Sequence, residues 1–349
     1  MDGEAEGESE AEAAEAEAGR PNHSPATRDV LARHEQRKSK LVGLADAKKT
    51  ADNFLYAAIG RSNAAGIVNI LEDKLTNYNC MVWGESGVGK STIVEELLYK
   101  PLKHLGVLTG RFVVRSPRQL QAKAALEAAL EDAYGGILFI DEAYGLGSSE
   151  ATTTQLVGLL PPSGGGDVMV VAAGYQRKMM RWVNTNEGLA ARFPALIDIP
   201  PPTADELKSI GIRYVKDHGF AELGEEELGV LSEAADYIKA LPSSEAKVPR
   251  NANAIRRVVG TEQGAVHHFY AEMGRRGGGR VPDKDKVLTK AHLEAGLAPF
   301  KAYVESAMAG SSGGGSSGAT GVRATSLEHE GVSTHAERSP TPCGRRSRM

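Results

Sequence analysis

Before the proline run at 200–202, apolar residues are grouped into short runs. Three of these, residues 80–83, 137–140 and 168–173, contain no polar residue, and a fourth run, 196–199, contains one. Runs of this kind are typical of parallel β-strands that helices cover on both faces. The pattern therefore predicts an α/β unit with a parallel sheet sandwiched between helices.

A different periodicity follows the proline run, because apolar residues now recur at helical spacing. Thr203 and Glu206 have the spacing of a capping box, in which hydroxyl and carboxylate each accept a backbone N–H at the start of a helix. A first helix is predicted from Thr203, and three more helical stretches follow: 225–240, 252–275 and 290–307. This region is predicted to be a small all-α lid of four helices.

Composition sets the boundaries of these units. Residues 1–19 are rich in Glu, Ala and Gly without Lys or Arg, and the chain from 309 onward is rich in Gly and Ser before it becomes mixed polar. Both ends are expected to be disordered. The predicted organisation is an acidic leader at 1–38, the α/β unit at 39–200, the lid at 201–308 and a tail at 309–349.

Charge, hydropathy and cysteine content narrow the class of protein. The 349-residue chain has a net charge of −4, which gives no electrostatic footprint for nucleic acid. No apolar stretch approaches the ~20 residues of a membrane helix, and the acidic segment 1–19, which has no Arg, is unlike the Arg- and Ser-rich, acid-poor composition of organelle transit peptides. Two cysteines, Cys80 and Cys343, make no disulfide framework. The cytoplasm or another reducing compartment is expected, with no membrane and no nucleic-acid partner.

The strand at 80–83 leads into a complete phosphate loop. Residues 84–91 are Gly-Glu-Ser-Gly-Val-Gly-Lys-Ser, the pattern G-x-x-x-x-G-K-S, followed by a helix-like segment. Glycines let backbone N–H groups turn towards phosphate oxygens, and a helix start favours negative charge. Lys90 is expected to bind the β- and γ-phosphates and Ser91 to bind Mg²⁺. The predicted nucleotide-binding residues here are Gly84, Glu85, Ser86, Gly87, Val88, Gly89, Lys90, Ser91 and Thr92.

Two acids follow the strand at 137–140. Carboxylates at the C-terminal end of a buried parallel strand lie where ligands bind in open α/β sheets. Asp141 is expected to hold Mg²⁺, directly or through water, and Glu142 to polarise the attacking water. If the chain were a GTPase switch or a kinase, no glutamate would be expected directly after the aspartate. The Asp-Glu pair therefore indicates ATP hydrolysis.

Two further residues lie near the last two strands. Tyr175 is the polar end of a buried strand, and Arg192 precedes the strand at 196–199. An arginine just ahead of the last strand can reach the γ-phosphate of a neighbouring subunit and compensate transition-state charge. Arg192 is therefore predicted to be an arginine finger.

With these motifs the chain resembles AAA+ ATPases, in particular the red-type Rubisco activases (the CbbX family) and the sporulation stage V protein K group. The matching segments, in the expected order, are 41–49, the phosphate loop, 136–144, 173–175, 188–192 and 251–257. The resemblance spans Lys40 to Met308. It implies ATP and Mg²⁺ bound between subunits, catalytic roles for Lys90, Glu142 and Arg192, and usually a homo-oligomeric, hexameric ring that remodels a protein client.

The chain departs from this family pattern in three places. The interval 121–134 predicts a plain helix where the relatives carry an aromatic–aliphatic–Gly pore loop that grips the client. Asn253 occupies the usual position of a sensor arginine, so Arg256, one helical turn later, is the candidate nucleotide contact. Tyr175 replaces an Asn common in AAA+ proteins, as in the CbbX group.

Two functions stay open: a ring-forming ATP-hydrolysing remodeller, and a nucleotide-regulated adaptor that hydrolyses slowly and threads nothing.

Overall fold

The computed structural model describes residues 24–65, 71, 76–161, 166–242, 248–277, 279 and 281–312. Its centre is a five-stranded sheet in which every pair of neighbours is parallel. The strands are β1 Cys80–Gly84, β2 Phe112–Arg115, β3 Ile137–Ile140, β4 Met169–Gly174 and β5 Ala195–Ile199. Their spatial order is β2-β3-β4-β1-β5. The predicted α/β sheet is confirmed.

Helices cover both faces of the sheet. Alternate residues of each strand belong to opposite cores: Phe139 and Val171 pack on one side, Leu138 and Val170 on the other. Both faces are therefore apolar, which explains the unbroken runs in the sequence. The helices are α1 Pro25–Lys40, α2 Ala45–Ala65, α3 (Lys90–Ile93, a π-helical stretch Val94–Tyr99, and Lys100–His104), α4 Lys123–Asp132, α5 Glu150–Leu159, α6 Gln176–Val183 and α7 Glu187–Arg192.

Helix α1 corrects the predicted leader. The hydroxyl of Ser24 accepts the N–H of Thr27 (3.2 Å) and caps the helix, and Pro25 stands in the first turn, where its missing N–H costs nothing. The buried ring of His34 donates from Nε2 to Asp52 of α2 (2.7 Å). The expectation of disorder up to residue 38 is therefore wrong for residues 24–38, because these contacts fix them to α2. The leader at 1–23 and the tail from 313 lie outside the described residues.

A separate hydrophobic core belongs to the helices after the proline run. These helices are α8 Ala204–Asp217, α9 Glu225–Ala240, α10 Asn251–Val259, α11 Ala265–Arg275 and α12 Lys290–Ser312. The capping box at the start of α8 is present: Thr203 N–H donates to Glu206 Oε2 (2.7 Å), and Glu206 N–H donates to Thr203 Oγ1 (3.2 Å). We call this all-α unit the lid.

The helix predicted at 252–275 is two helices, α10 and α11, with a break between Gly260 and Gly264. A Cβ on Gly264 would lie 2.4 Å from the backbone nitrogen of Gly260, and one on Gly296 would lie 2.2 Å from the carbonyl oxygen of Val258. The backbones of α10, α11 and α12 thus approach closely enough to require glycine. The described part of the lid has five helices rather than four. None of the described helices is long and apolar enough to cross a lipid bilayer.

Candidate nucleotide site

The phosphate loop joins β1 to α3 at the carboxyl edge of the sheet. The carbonyl of Gly84, the last residue of β1, accepts a hydrogen bond from Lys90 Nζ (3.2 Å). Gly87 and Gly89 have φ of 75° and 97°, a left-handed region that glycine adopts without steric cost. The N–H of Ile93 donates to the carbonyl of Gly89 (2.9 Å), so α3 begins directly at the loop. The loop therefore has the curled backbone that its sequence predicts.

Lys90 lies across the loop rather than extending into solvent. Its Nζ donates to the carbonyl of Glu85 (2.8 Å) and lies 5.5 Å from the ring centre of Tyr175. Burial lowers the pKa of this ammonium group, and the carboxylates of Asp141, Glu142 and Glu85 oppose that effect. A positive charge is thus fixed where a phosphate group would meet it.

Asp141 and Glu142 follow β3 directly and lie near Lys90. The backbone N–H of Glu142 donates to Asp141 Oδ1 (3.0 Å). Part of the Asp141 side chain is exposed to solvent. The cleft nevertheless removes water from around its carboxyl, which raises the pKa of that group, and the charge of Lys90 opposes the rise. Glu142 has φ 53° and ψ 39°, a left-handed conformation that costs a side chain with a Cβ about 1 kcal/mol. Strain of this kind concentrates at functional positions.

The oxygen donors in the cleft fit Mg²⁺. Ser91 supplies a hydroxyl and Asp141 a carboxylate, and both line the same cavity as Lys90. Oxygen atoms are the ligands that Mg²⁺ prefers, and it is usually bound through one or two protein groups together with substrate phosphates. The phosphate oxygens of a nucleotide in the loop would complete such a set.

Two tyrosine rings lie beside the phosphate loop, just after the ends of β3 and β4. The ring centres of Tyr144 and Tyr175 are 6.0 Å apart, and Lys178 Nζ lies 4.7 Å and 5.0 Å from them respectively. Burial and the neighbouring carboxylate of Glu142 raise the pKa of Tyr144, so its phenol stays protonated beside that carboxylate. The sequence indicated Tyr175 as a site residue, but the roles of Tyr144 and Lys178 were missed. The position of Tyr144 two residues after Glu142 was the available signal.

A cavity of about 650 Å³ lies between the loop and the lid, within the range of about 300–1,000 Å³ that is typical of ligand pockets. Val42 and Leu44 line it from the α1–α2 connection, and Ile210 and Tyr214 line it from α8. The predicted residues that line it are Ser86, Gly87, Val88, Gly89, Lys90, Ser91, Thr92, Asp141, Glu142 and Arg256. Three other predicted residues do not line the cavity: Gly84, Glu85 and Tyr175.

The lid contacts the phosphate loop directly through the start of α10. Asn251 Nδ2 donates to the carbonyl of Ser86 (2.9 Å), and the N–H of Ala252 donates to the carbonyl of Gly87 (3.2 Å). The sequence pointed to Asn253 and Arg256 in this segment, and both line the cavity. It missed Asn251, because the partner of this side chain is 165 residues away and no local pattern records such a contact.

Arg192 lies away from this cavity, at the end of α7. Its Nε donates to the carbonyls of Val157 (3.2 Å) and Leu160 (3.3 Å). It borders a separate cavity of about 450 Å³, together with Asp167 and the end of α5. Within one chain, the structure therefore does not bring Arg192 together with Lys90.

The architecture and the site can be compared with known proteins. No family model matches the chain. A CfxQ homolog of Guillardia theta is 30% identical over 223 residues, which are 60% of this chain and 70% of that protein. A CfxQ homolog of Galdieria sulphuraria is 32% identical over 169 residues, 45% of this chain and 54% of that protein. Stage V sporulation protein K of Bacillus subtilis is 25% identical over 250 residues, 67% of this chain and 74% of that protein.

Together with the parallel sheet and the phosphate loop, these relatives define an AAA+ ATPase. Within that class the chain belongs to the CfxQ (CbbX) and SpoVK family. It spans 54% of the length of the Galdieria relative. Among solved structures, a mutant RuvB of Thermotoga maritima matches 74% of this chain and 71% of its own at 17% identity, with a TM-score of 0.49.

Proposed function

We propose that the chain binds ATP with Mg²⁺, hydrolyses it, and works as an oligomer on a protein client. The observation that carries this proposal is the convergence of Lys90, Asp141 and Glu142 beside one phosphate loop beneath the lid. Each of these groups has a role in phosphoryl transfer to water. Membership of an ATPase family supports the same reaction.

The residues divide the chemistry among them. Lys90 and the N–H groups of the loop bind the phosphate oxygens and hold the γ-phosphate in place. Ser91 and Asp141 would hold Mg²⁺, which would supply neutralisation of charge on the phosphate oxygens. Glu142 accepts a hydrogen bond from the attacking water and orients it in line with the bond that breaks. Tyr144 donates to Glu142 and restricts the directions that this carboxylate can take.

Arg192 supports an oligomeric enzyme. Its guanidinium is half-buried and anchored through Nε to two backbone carbonyls, outside the cavity of its own chain. A neighbouring subunit that places its open cleft against this surface would receive the arginine at its γ-phosphate. A guanidinium there compensates the charge of the transition state. In this arrangement each hydrolytic site takes residues from two subunits.

The alternative function is a nucleotide-regulated adaptor that hydrolyses slowly and threads nothing. The 3₁₀ turn Pro117–Leu120 is followed almost at once by the regular helix α4. The structure therefore has a helix in the interval where a client-gripping loop would be expected. This observation favours a partner that is bound rather than threaded.

The test is the steady-state ATPase rate of the full chain over a range of protein concentrations, beside the variant Glu142→Gln. We expect the rate per subunit to rise with concentration and to be lost in the variant, while ATP binding persists in both. A rate independent of concentration, with light scattering that shows a monomer with and without ATP, would favour the adaptor. Absence of ATP binding by the wild type would refute both functions.

A further inference from the structure

The contact between the lid and the phosphate loop involves the same peptide units whose N–H groups would bind phosphate. Two carbonyls of the loop accept hydrogen bonds from the first residues of α10: Ser86 from the side chain of Asn251, and Gly87 from the N–H of Ala252. These carbonyls belong to the peptide units that also carry the N–H groups of Gly87 and Val88. In a trans peptide the N–H points opposite to the C=O of the same plane. Fixing each carbonyl on the lid side therefore fixes an N–H on the opposite side.

Asn251 is itself held in place. It is 5% exposed and has φ 54°, a left-handed backbone conformation. Its Nδ2 also lies 3.2 Å from Glu85 Oε2, and that carboxylate pairs with Arg250 Nη1 (3.2 Å). Arg250 Nη2 in turn donates to the carbonyl of Leu241 (3.0 Å) at the end of α9. The amide is thus oriented by groups from both the loop and the lid.

The loop is closely packed against the lid at Gly87. A Cβ on Gly87 would lie 2.8 Å from the carbonyl oxygen of Arg250 and 2.9 Å from Cγ of Asn253. The backbone of the loop thus lies directly against the backbone of Arg250, just before α10, and against the side chain of Asn253. A loop that is already oriented loses less conformational entropy when it binds a ligand.

We propose that Asn251 is a positioning residue for phosphate binding, which aims the N–H groups of Gly87 and Val88 from behind through the carbonyls of Ser86 and Gly87. The proposal rests on the nucleotide binding proposed above. Because coupling between two sites is reciprocal, a nucleotide in the loop also stabilises the docked lid. Glu85, a variable position of the phosphate-loop pattern, serves here as the lid's attachment point together with Arg250.

The test uses Asn251→Gly in the full chain. Glycine keeps the left-handed backbone that position 251 requires, so the variant removes the amide without adding strain. We expect the Kd for ATP to rise about tenfold, as for the loss of one hydrogen bond. Hydrogen exchange of the Ala252 amide in the nucleotide-free protein should become faster, whereas exchange in β3 and α9 should not change.

Ile238→Val is the matched control. Ile238 lies in the lid core on α9, 2% exposed, and its truncation lowers the Tm modestly without touching the loop. We expect an ATP Kd equal to that of the wild type.

The outcomes separate the two proposals. If the wild type does not bind ATP, the proposed function fails. If the wild type binds and Asn251→Gly binds equally well, or Ala252 exchanges at the wild-type rate, the positioning role of Asn251 is refuted while the proposed function stands. A loss of affinity of equal size in Ile238→Val would also refute the positioning role, because lid stability alone would then explain it.

Discussion

The phosphate loop and the surface around Arg192 are two regions of the same α/β unit that each contain a basic side chain, and they are built differently. Around Lys90, two carboxylates and the lid complete a cleft within one chain. Around Arg192, the anchoring partners are backbone carbonyls, and in the described part of the chain no carboxylate pairs with this guanidinium. The difference predicts that binding and turnover are separable: the first region has its binding groups within one chain, whereas the proposed arginine finger would act across an interface.

Arg192→Ala should have the largest effect. An arginine finger contributes about 10³-fold or more to kcat, so ATPase turnover should fall by about that factor. The Kd for ATP should stay within about twofold of the wild type, because the side chain is outside the cleft of its own chain. Single-turnover kinetics and calorimetry measure the two quantities. An equal loss in both would mean that Arg192 acts within its own subunit.

A mixing experiment sharpens this test. Inactive Arg192→Ala subunits combined with inactive Glu142→Gln subunits should regain activity, because some interfaces then pair an intact Glu142 with an intact Arg192. For head-to-tail contacts in a random equal mixture, roughly a quarter of the interfaces are restored. No recovery in a mixture shown by light scattering to be co-assembled would contradict action across subunits.

Glu142→Gln should lower kcat by about 10²-fold or more, the typical contribution of a general base. The amide is nearly isosteric, so ATP binding and assembly should be retained. This variant tests the phosphate-loop region in the way that Arg192→Ala tests the surface around Arg192. In both variants hydrolysis should be lost while the cleft still binds ATP. ATP affinity that fell together with the rate would indicate a role for Glu142 in binding.

Gly89→Ala should weaken ATP binding by about tenfold or more through backbone strain alone. At φ 97° a side chain costs of order 1–3 kcal/mol, and a Cβ there would meet no atom within 4 Å. Gly229→Ala, at an exposed position of helix α9, is the matched control, because its Cβ also enters open space but at helical φ. It should stabilise the lid slightly. Equal ATP affinity for wild type and Gly89→Ala would show that the loop tolerates another backbone conformation.

Asp141→Asn should raise the Tm of the metal-free and nucleotide-free protein at pH 7. The pKa of Asp141 is raised in the fold, so its contribution to stability is present below the unfolded pKa and lost as pH rises through the folded pKa. The amide removes that loss. The difference in Tm should shrink as pH falls towards 3.8, the ordinary pKa of the group, and a constant difference would contradict the assignment.

The sequence predicted the sheet and the phosphate loop because each depends on a pattern within a short segment of the chain. Parallel strands buried on two faces leave unbroken apolar runs, and the loop needs glycine at fixed positions. The break at Gly260 and Gly264 was also visible, but two glycines within a helical pattern do not reveal that neighbouring backbones require them. Their meaning comes from the crossing with Gly296 of α12.

The lid contact and the tyrosine pair could not be predicted in this way. Asn251 looks like an ordinary helix-start residue until its amide is seen on the carbonyl of Ser86, far away in the chain. Tyr144 and Tyr175 meet because β3 and β4 are neighbours, which requires the strand order and not only the strands. Helix α1 was missed for a different reason: acidic composition at 1–19 was extended to a boundary at 38, past a cap at Ser24.

The strand order has a consequence during synthesis. β1 lies between β4 and β5, and Cys80 pairs with Val171 and Ala195. Ribosomes add about 5–20 residues per second, so these partners emerge roughly 5 to 20 s after β1. Throughout that interval the strand leading into the phosphate loop exposes unpaired backbone and apolar side chains. A nascent chain that pauses before Met169 lacks β4 and therefore cannot complete the sheet that positions its phosphate loop.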